Sequence, residues 1–338
     1  MRRYTTYLLS LTVAFLTAGC EMADVCDSSP RQNFEAFWKL LDENYCYFDY
    51  KQVDWDEVYN QYSPMVNETM NESEFFHILS DMANKLKDGH INVRAKYFFS
   101  AYDGWYIGSP SNFNWNIIQD YYQDGQYAGA FDEIRYNQLA DNQVGYIYYG
   151  SFSESILESE LNEIFDSFKD CKGLIIDVRN NGGGSLTNSD RLASRFLDTR
   201  TLCGYIQHKT GKGHGDFSTP YPIYLVPSKG DLWLKPVIVL TNRRCFSAAN
   251  NFVSKMHVLP NVYTLGDTTG GGSGFPFTSE LPNGWEVRFS TSPILDINKQ
   301  HTEFGIAPDI QISLDSKDEE KRKDTLIETA IQHLLGTN

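Results

Sequence analysis

A serine hydroxyl is a weak nucleophile at neutral pH, so a chain that uses one must also supply a base and donors for the charge that develops on the attacked carbonyl. Ser247 is the first candidate. It follows the apolar run Val237–Thr241 and the turn Asn242-Arg243-Arg244-Cys245-Phe246, and it opens a helical stretch over 247–257. There the free N–H groups of a helix start face a developing oxyanion. Serine is also a common helix N-cap, and spacing alone does not decide between the two roles. A second apolar run, 174–178, leads through Arg179-Asn180-Asn181 into Gly182, Gly183 and Gly184. Glycines there let backbone N–H groups approach a ligand unobstructed, although an ordinary strand-to-helix turn has the same composition.

The base must come from elsewhere. Lys255 and His257 share the helix of Ser247 and lie roughly 12 Å or more along its axis, out of reach. His77 and His333 fall on helical stripes and read as packing or surface residues. His90 differs, because Asp88-Gly89-His90 stands where a helix must stop, on a turn broken by glycine. His301 is the rival base.

These groups need a scaffold. Phe34, Phe37, Trp38, Leu41 and Tyr45 lie on one face of a helix, and Phe75, Leu79, Met82 and Leu86 on a second, with Asn71 or Ser73 as its cap. Residues 31–94 are therefore expected to form a small helical domain ending in Asp88-Gly89-His90. Residues 95–140 have weak periodicity and predict a variable segment of short strands and loops. Beyond them, 141–338 alternates β-rich runs (Val144–Tyr149, 174–178, Val237–Thr241) with helical patterns near 186–198 and 247–257, closing on an amphipathic helix at 326–335. That is an α/β layout with buried central strands.

The first residues carry a leader. Met1-Arg2-Arg3 is a basic start, and an apolar run from Tyr7 to Ala18, too short to span a bilayer, precedes Gly19 and Cys20. Residues 1–19 read as a signal peptide and 20–30 as a tether. Leu16-Thr17-Ala18-Gly19-Cys20 resembles a bacterial lipobox, which implies acylation of Cys20 and a protein that meets the membrane only through its lipid. The net charge of −15 repels phosphate backbones and excludes nucleic acid as a partner. Cys26, Cys46, Cys171, Cys203 and Cys245 are odd in number and scattered, without a CxxC pair for zinc; buried free thiols are expected, with room for one incidental bridge.

Five motifs then occur in one order: Leu86-Lys87-Asp88-Gly89-His90, Asp177-Val178-Arg179-Asn180-Asn181-Gly182-Gly183-Gly184, Phe246-Ser247-Ala248-Ala249, Gly266-Asp267-Thr268-Thr269-Gly270-Gly271-Gly272 and Gly305-Ile306-Ala307-Pro308-Asp309-Ile310. In this the chain resembles the tail-specific, or C-terminal processing, serine peptidases. The Ser/Lys branch of that family has a lysine in a Gly-Lys-Gly turn, where this chain reads Gly270-Gly271-Gly272-Ser273-Gly274. The match is instead to the tricorn-like and retinoid-binding-protein-like branch.

That resemblance implies a peptidase core of the ββα, crotonase- and ClpP-like type beside the helical domain. No PDZ insert is evident. It also implies Ser247 as nucleophile, His90 as base and Glu303 as the supporting acid, with Glu286 and Asp296 as rival acids. Gly182 or Gly183 and the Ala248 N–H would hold the oxyanion, and Arg179, Thr269, Gly270 and Gly271 are candidates for the substrate loop, Arg179 first as its structural anchor and otherwise as the partner of a substrate carboxylate. The expected reaction is acyl transfer from a protein or peptide substrate to water, with neither cofactor nor metal. The expected place is the envelope of a Gram-negative-type bacterium, on a periplasmic or outer-membrane face. A non-catalytic member of the same fold that binds an apolar ligand or peptide is the competing reading.

Overall fold

The computed structural model describes residues 29–123, 126–128 and 134–336; the leader, Cys20 and Cys26 lie outside them. Helix α1 (Pro30–Asn44) starts where the Ser29 side chain accepts the Gln32 N–H and Pro30 presets the first turn. Two short helices, α2 (Phe48–Lys51) and α3 (Trp55–Tyr62), lead to α4 (Glu72–Lys85). Of the two cap candidates, Asn71 holds the place, in a reciprocal capping box with Glu74.

The apolar stripes of α1 and α4 bury together, but helices alone do not complete that core. Leu281 and Trp285 from a hairpin turn, and Val287 and Phe289 from the strand that follows it far along the chain, close it. The helical segment is thus not a free-standing unit: its apolar faces need a sheet to cover them. That sheet is formed by β1 (Asn92–Arg94), β2 (Phe99–Ala101), β7 (Thr201–Ile206), β8 (Tyr221–Leu225), β11 (Gly274–Glu280) and β12 (Glu286–Leu295). The long β12 pairs with β1 and β11 at one end and with β7 at the other.

The second sheet has the order β13-β10-β9-β6-β5-β4-β3. Its strands are β3 (Gln126–Ala128), β4 (Ile134–Leu139), β5 (Val144–Tyr149), β6 (Gly173–Asp177), β9 (Val237–Thr241), β10 (Val262–Gly266) and β13 (Ile310–Gln311). From β5 to β13 all pairings are parallel, and β5, β6 and β9 are buried along their whole length, because helices cover both faces. Side chains alternate accordingly. Leu174, Ile176, Val237 and Val239 face a core with α6 (Glu158–Ser167), α7 (Leu186–Ala193) and α8 (Ala248–Met256). Ile175, Ile238 and Leu240 face a core with α5 (Trp115–Ile117) and α10 (Thr325–Leu335), which follows the short α9 (Ser316–Glu320).

The expected boundary at residue 141 falls inside a hairpin. β4 and β5 pair in full register across Ala140, Asp141 and Asn142, all with positive φ. The β4 side chains are mostly half-buried, so alternation in the sequence is weak there. The described cysteines, Cys46, Cys171, Cys203 and Cys245, are free and buried. Among the described residues no helix is long and apolar enough to cross a membrane, and no side-chain cluster fits a metal ion.

Candidate active site

Strands β6 and β9 are neighbours whose C-terminal ends carry the Gly182-Gly183-Gly184 loop and the turn to Ser247, the edge at which open parallel sheets place their chemistry. Ser247 immediately precedes α8 with φ 55° and ψ −116°. That backbone conformation costs an L-residue on the order of 1–3 kcal/mol, so the surroundings must impose it. They do so through the main chain: the Ser247 N–H donates to Gly271 O at 2.9 Å, Phe246 N–H to Asn181 O at 3.1 Å and Gly270 N–H to Cys245 O at 2.7 Å. The N-cap alternative does not hold, since the Ser247 side chain makes no capping hydrogen bond.

The hydroxyl instead meets His90, with Oγ 2.9 Å from Nε2. His90 is 3% exposed, and burial lowers its pKa to about 4, only partly offset by the nearby Asp88 charge. The ring is therefore neutral at physiological pH and able to accept a proton. Asp88, fully buried, takes the His90 backbone N–H on Oδ1 at 2.8 Å and the hydroxyls of Tyr45 and Ser290 on Oδ2 at 3.0 and 3.1 Å. Phe246 packs beside the imidazole at 4.9 Å, and Trp105 stacks on Phe246 at 4.3 Å. Gly89 is required between them: a Cβ there would lie 2.7 Å from Trp105 Nε1 and 2.8 Å from Phe246.

Glu303 is buried, but it does not contact His90. Its Oε1 accepts from Lys51 Nζ at 2.8 Å and its Oε2 from the Ser273 N–H at 2.8 Å. Lys51 Nζ also lies 3.6 Å from Asp88 Oδ2, so Glu303 reaches the histidine segment only through Lys51 and Asp88. The His90 Nδ1 atom has no hydrogen-bond partner among the described residues. The direct orientation of the imidazole by Glu303 that the motif order implied is not seen: Glu303 pairs with Lys51, and Asp88 holds the His90 backbone N–H rather than the ring. Burial, reinforced by the Asp88 charge, pushes Glu303 up to about 7.

Gly183 passes directly over the serine. A Cβ there would come within 2.8 Å of the Ser247 Cβ and 3.0 Å of the Ala248 nitrogen, and its φ of +101° also calls for glycine. Its own N–H donates to Asn181 Oδ1 at 2.9 Å. Gly182 is exposed at the rim of the cleft.

Other expected site residues lie elsewhere. Arg179 is fully buried, ion-paired with Asp177 at 2.6 Å and Asp324 at 2.9 Å, and donates to Asn112 O. It ties β6 to the start of α10 and faces no substrate. Thr269 is buried, its hydroxyl donating to Asn250 Oδ1 at 2.6 Å and accepting the Ile306 N–H at 2.7 Å. Gly270 and Gly271 pack beneath it against Trp105 and the Glu303 carbonyl. Next in the same turn, Gly272, Ser273 and Gly274 line the cleft. The rivals are occupied too: Lys255 pairs with Asp190, His301 packs against Tyr47 and Tyr50, Glu286 pairs with Arg94 at 3.8 Å, and Asp296 accepts from the N–H groups of Asn298 and Gln300. Lys51, Asp88 and Arg288, which borders the cleft beside Ser247, had no assigned role. Of these, Asp88 alone carried a signal, its place in the Asp-Gly-His turn.

Comparison with known proteins agrees with the motif reading. Residues 143–312 match the family model described as Peptidase family S41, and residues 27–84 that of the Tricorn protease C1 domain. The carboxy-terminal processing protease CtpA of Bacillus subtilis (strain 168) is 28% identical over 185 residues, 54% of this chain and 38% of that protein. The match to the curated relatives thus spans well under half their length. A crystal structure of a candidate peptidase from Parabacteroides merdae ATCC 43184 is 55% identical, covers 91% of this chain and 98% of its own, and superposes with a TM-score of 0.86. Mature CPAF complexed with lactacystin, 14% identical over 93% of this chain and 100% of its own, shares the fold with a TM-score of 0.69. With half of its length matched by the family model and the motifs in family order, the chain belongs to peptidase family S41.

Proposed function

We propose that this chain is a serine endopeptidase that hydrolyses peptide bonds of proteins or peptides through an acyl-enzyme. The observation that carries the reading is the 2.9 Å contact between Ser247 Oγ and the Nε2 of a histidine kept neutral by burial. His90 takes the serine proton as Oγ attacks the carbonyl carbon, then gives it to the leaving amine; water repeats the sequence in reverse to free the acid. The oxyanion falls to the Ala248 N–H and to Gly182 or Gly183 opposite, the Gly183 amide serving once it leaves Asn181. Loss of one such donor costs about 2.7–4 kcal/mol of transition-state stabilisation. Glu303 supports the His90 turn through two intermediaries, Lys51 and Asp88, the second of which holds the His90 backbone N–H.

Acylation of Cys20 at the end of the leader would hold the enzyme at the cell envelope of a Gram-negative-type bacterium. The basic start, the short apolar run and the lipobox-like Leu16-Thr17-Ala18-Gly19-Cys20 support that reading.

A fluorophosphonate probe tests the chemistry. Wild type is expected to be labelled, and Ser247→Ala and His90→Ala not. A wild type that neither takes the label nor cleaves an unfolded protein removes the peptidase reading. Incorporation of a labelled fatty acid, lost in Cys20→Ser, tests the anchor; equal incorporation by both would refute it.

A further inference from the structure

The cleft at Ser247 has two lobes. One, of about 370 Å³, is lined chiefly by Leu186, Ala248, Phe275, Pro276 and Ile294. The other, of about 440 Å³, runs past His90, Ser151, Ser153 and Gly182. Ser247 and Arg288 border both. No aspartate, glutamate or lysine lines either lobe, so among the described residues Arg288 is the one permanently charged side chain there.

Its situation differs from that of the protein's buried cations. Lys51, Arg179, Arg195 and Lys255 each pair with a carboxylate. Arg288 is exposed and forms no salt bridge with a described residue, in a chain whose net charge is −15. It is also rigidly mounted. Its backbone lies in β12, opposite Asn92 of β1 on one side and Thr278 of β11 on the other. A guanidinium on a doubly paired strand presents a planar fork that suits a carboxylate better than any other group of a peptide.

We infer that Arg288 determines specificity, by receiving a carboxylate of the peptide substrate close to the scissile bond while the neighbouring apolar lobe takes a hydrophobic side chain. The carboxylate is either an acidic side chain or the free end of the chain. This inference rests on the peptidase reading above. The charge of Arg288 also acts against protonation of His90, so a bound carboxylate that neutralises it leaves His90 a stronger base in the complex than in the free enzyme.

Matched fluorogenic peptides test the inference, one pair differing as Glu or Gln beside the cleaved bond and another as free acid or amide at the C-terminus. Wild type should favour the carboxylate member of one pair by at least about tenfold in kcat/KM. The pair that discriminates identifies the source. Arg288→Gln should bring the ratio close to one, Arg288→Lys should keep part of it, and Arg288→Glu should turn the preference toward the uncharged member of the discriminating pair. Equal rates within both pairs for wild type, or a preference that survives in Arg288→Gln, overturns the inference. Because each ratio is internal to one variant, a general loss of activity does not imitate that result. Failure of the peptidase reading shows differently, as no cleavage of any peptide and no probe labelling in wild type.

Discussion

Lys51 Nζ stands 2.8 Å from Glu303 Oε1, across 252 residues of sequence. The lysine is 3% exposed in its side chain and is shared with Asp88, so one cation serves two buried carboxylates. Through Asp88, which holds the His90 backbone N–H, that ion cluster joins the helical segment to the loop that follows β12 and to the turn that carries His90. A buried charge is tolerable only while it is paired, and removing one partner of such a cluster costs on the order of 3–5 kcal/mol.

Lys51→Met should therefore lower stability by about that amount, read as a lower urea midpoint with an unchanged m-value. The loss should be larger at pH 8 than at pH 5. Without the lysine both carboxylates titrate at higher pH, and a proton at pH 5 relieves part of the repulsion that remains at pH 8. Equal losses at the two pH values would mean that Lys51 acts by packing alone. Because Asp88 positions His90, kcat should also fall, with partial rescue in Lys51→Arg.

The depressed pKa of His90 makes a second prediction. Loss of kcat/KM on acidification should follow a group near pH 4, well below the 6.5 of an ordinary imidazole. For stability, the unfolded chain binds a proton on this histidine below pH 6.5 while the native ring stays neutral to about pH 4. His90 thus adds a loss of stability as pH falls through that window, about 1.4 kcal/mol per pH unit at most. Glu303 contributes the opposite slope, since a carboxyl raised to about 7 binds its proton in the native state first. The measurement is therefore a comparison of urea unfolding for wild type and His90→Gln at pH 4.5 and pH 7. His90→Gln should lose less stability on acidification; an identical pH dependence would contradict a neutral buried ring.

Gly183 offers a third. In Gly183→Ala the new methyl would meet the Ser247 Cβ at 2.8 Å and the Phe246 carbonyl at 2.7 Å, on a backbone with φ of +101°. The loop must shift away from the serine, carrying its N–H with it, and kcat should fall by roughly 100-fold with a much smaller change in KM. At Gly182 an added Cβ meets nothing within 4 Å and φ is not positive, so Gly182→Ala should be neutral for stability by thermal unfolding. Equal destabilisation by the two substitutions would show that the loop responds to chain stiffness rather than to contact with Ser247.

Much of the scaffold was legible because it is local. The unbroken apolar runs at β5, β6 and β9 announce strands covered on both faces, the helical stripes of α1 and α4 announce faces that seek a partner, and the Gly-broken turn at His90 announces a helix stop. Ser247 and His90 are also written there, as members of motifs whose residues are consecutive. The 2.9 Å contact between them depends on how the turn after α4 is brought against the end of β9.

Other features belonged to the tertiary structure alone. In a sequence an arginine or lysine reads as a surface residue, since the energy of burying a charge is unfavourable unless a partner meets it. Arg179 reads in the sequence as an anchor for the glycine loop or a partner for a substrate carboxylate, and its pairing with Asp324, 145 residues away, decides for the structural role. Lys51 carried no signal at all, and Arg288 is one arginine in an alternating strand until β12 lays it beside Ser247. The sequence by itself determined the central strands β5, β6 and β9 and the striped helices, because backbone preference and apolar periodicity are properties of neighbours along the chain, and its ordered motifs pointed to Ser247 and His90. Only the tertiary structure decided which charges are buried in pairs and which one is left facing the cleft, because electrostatic pairing depends on distance through space.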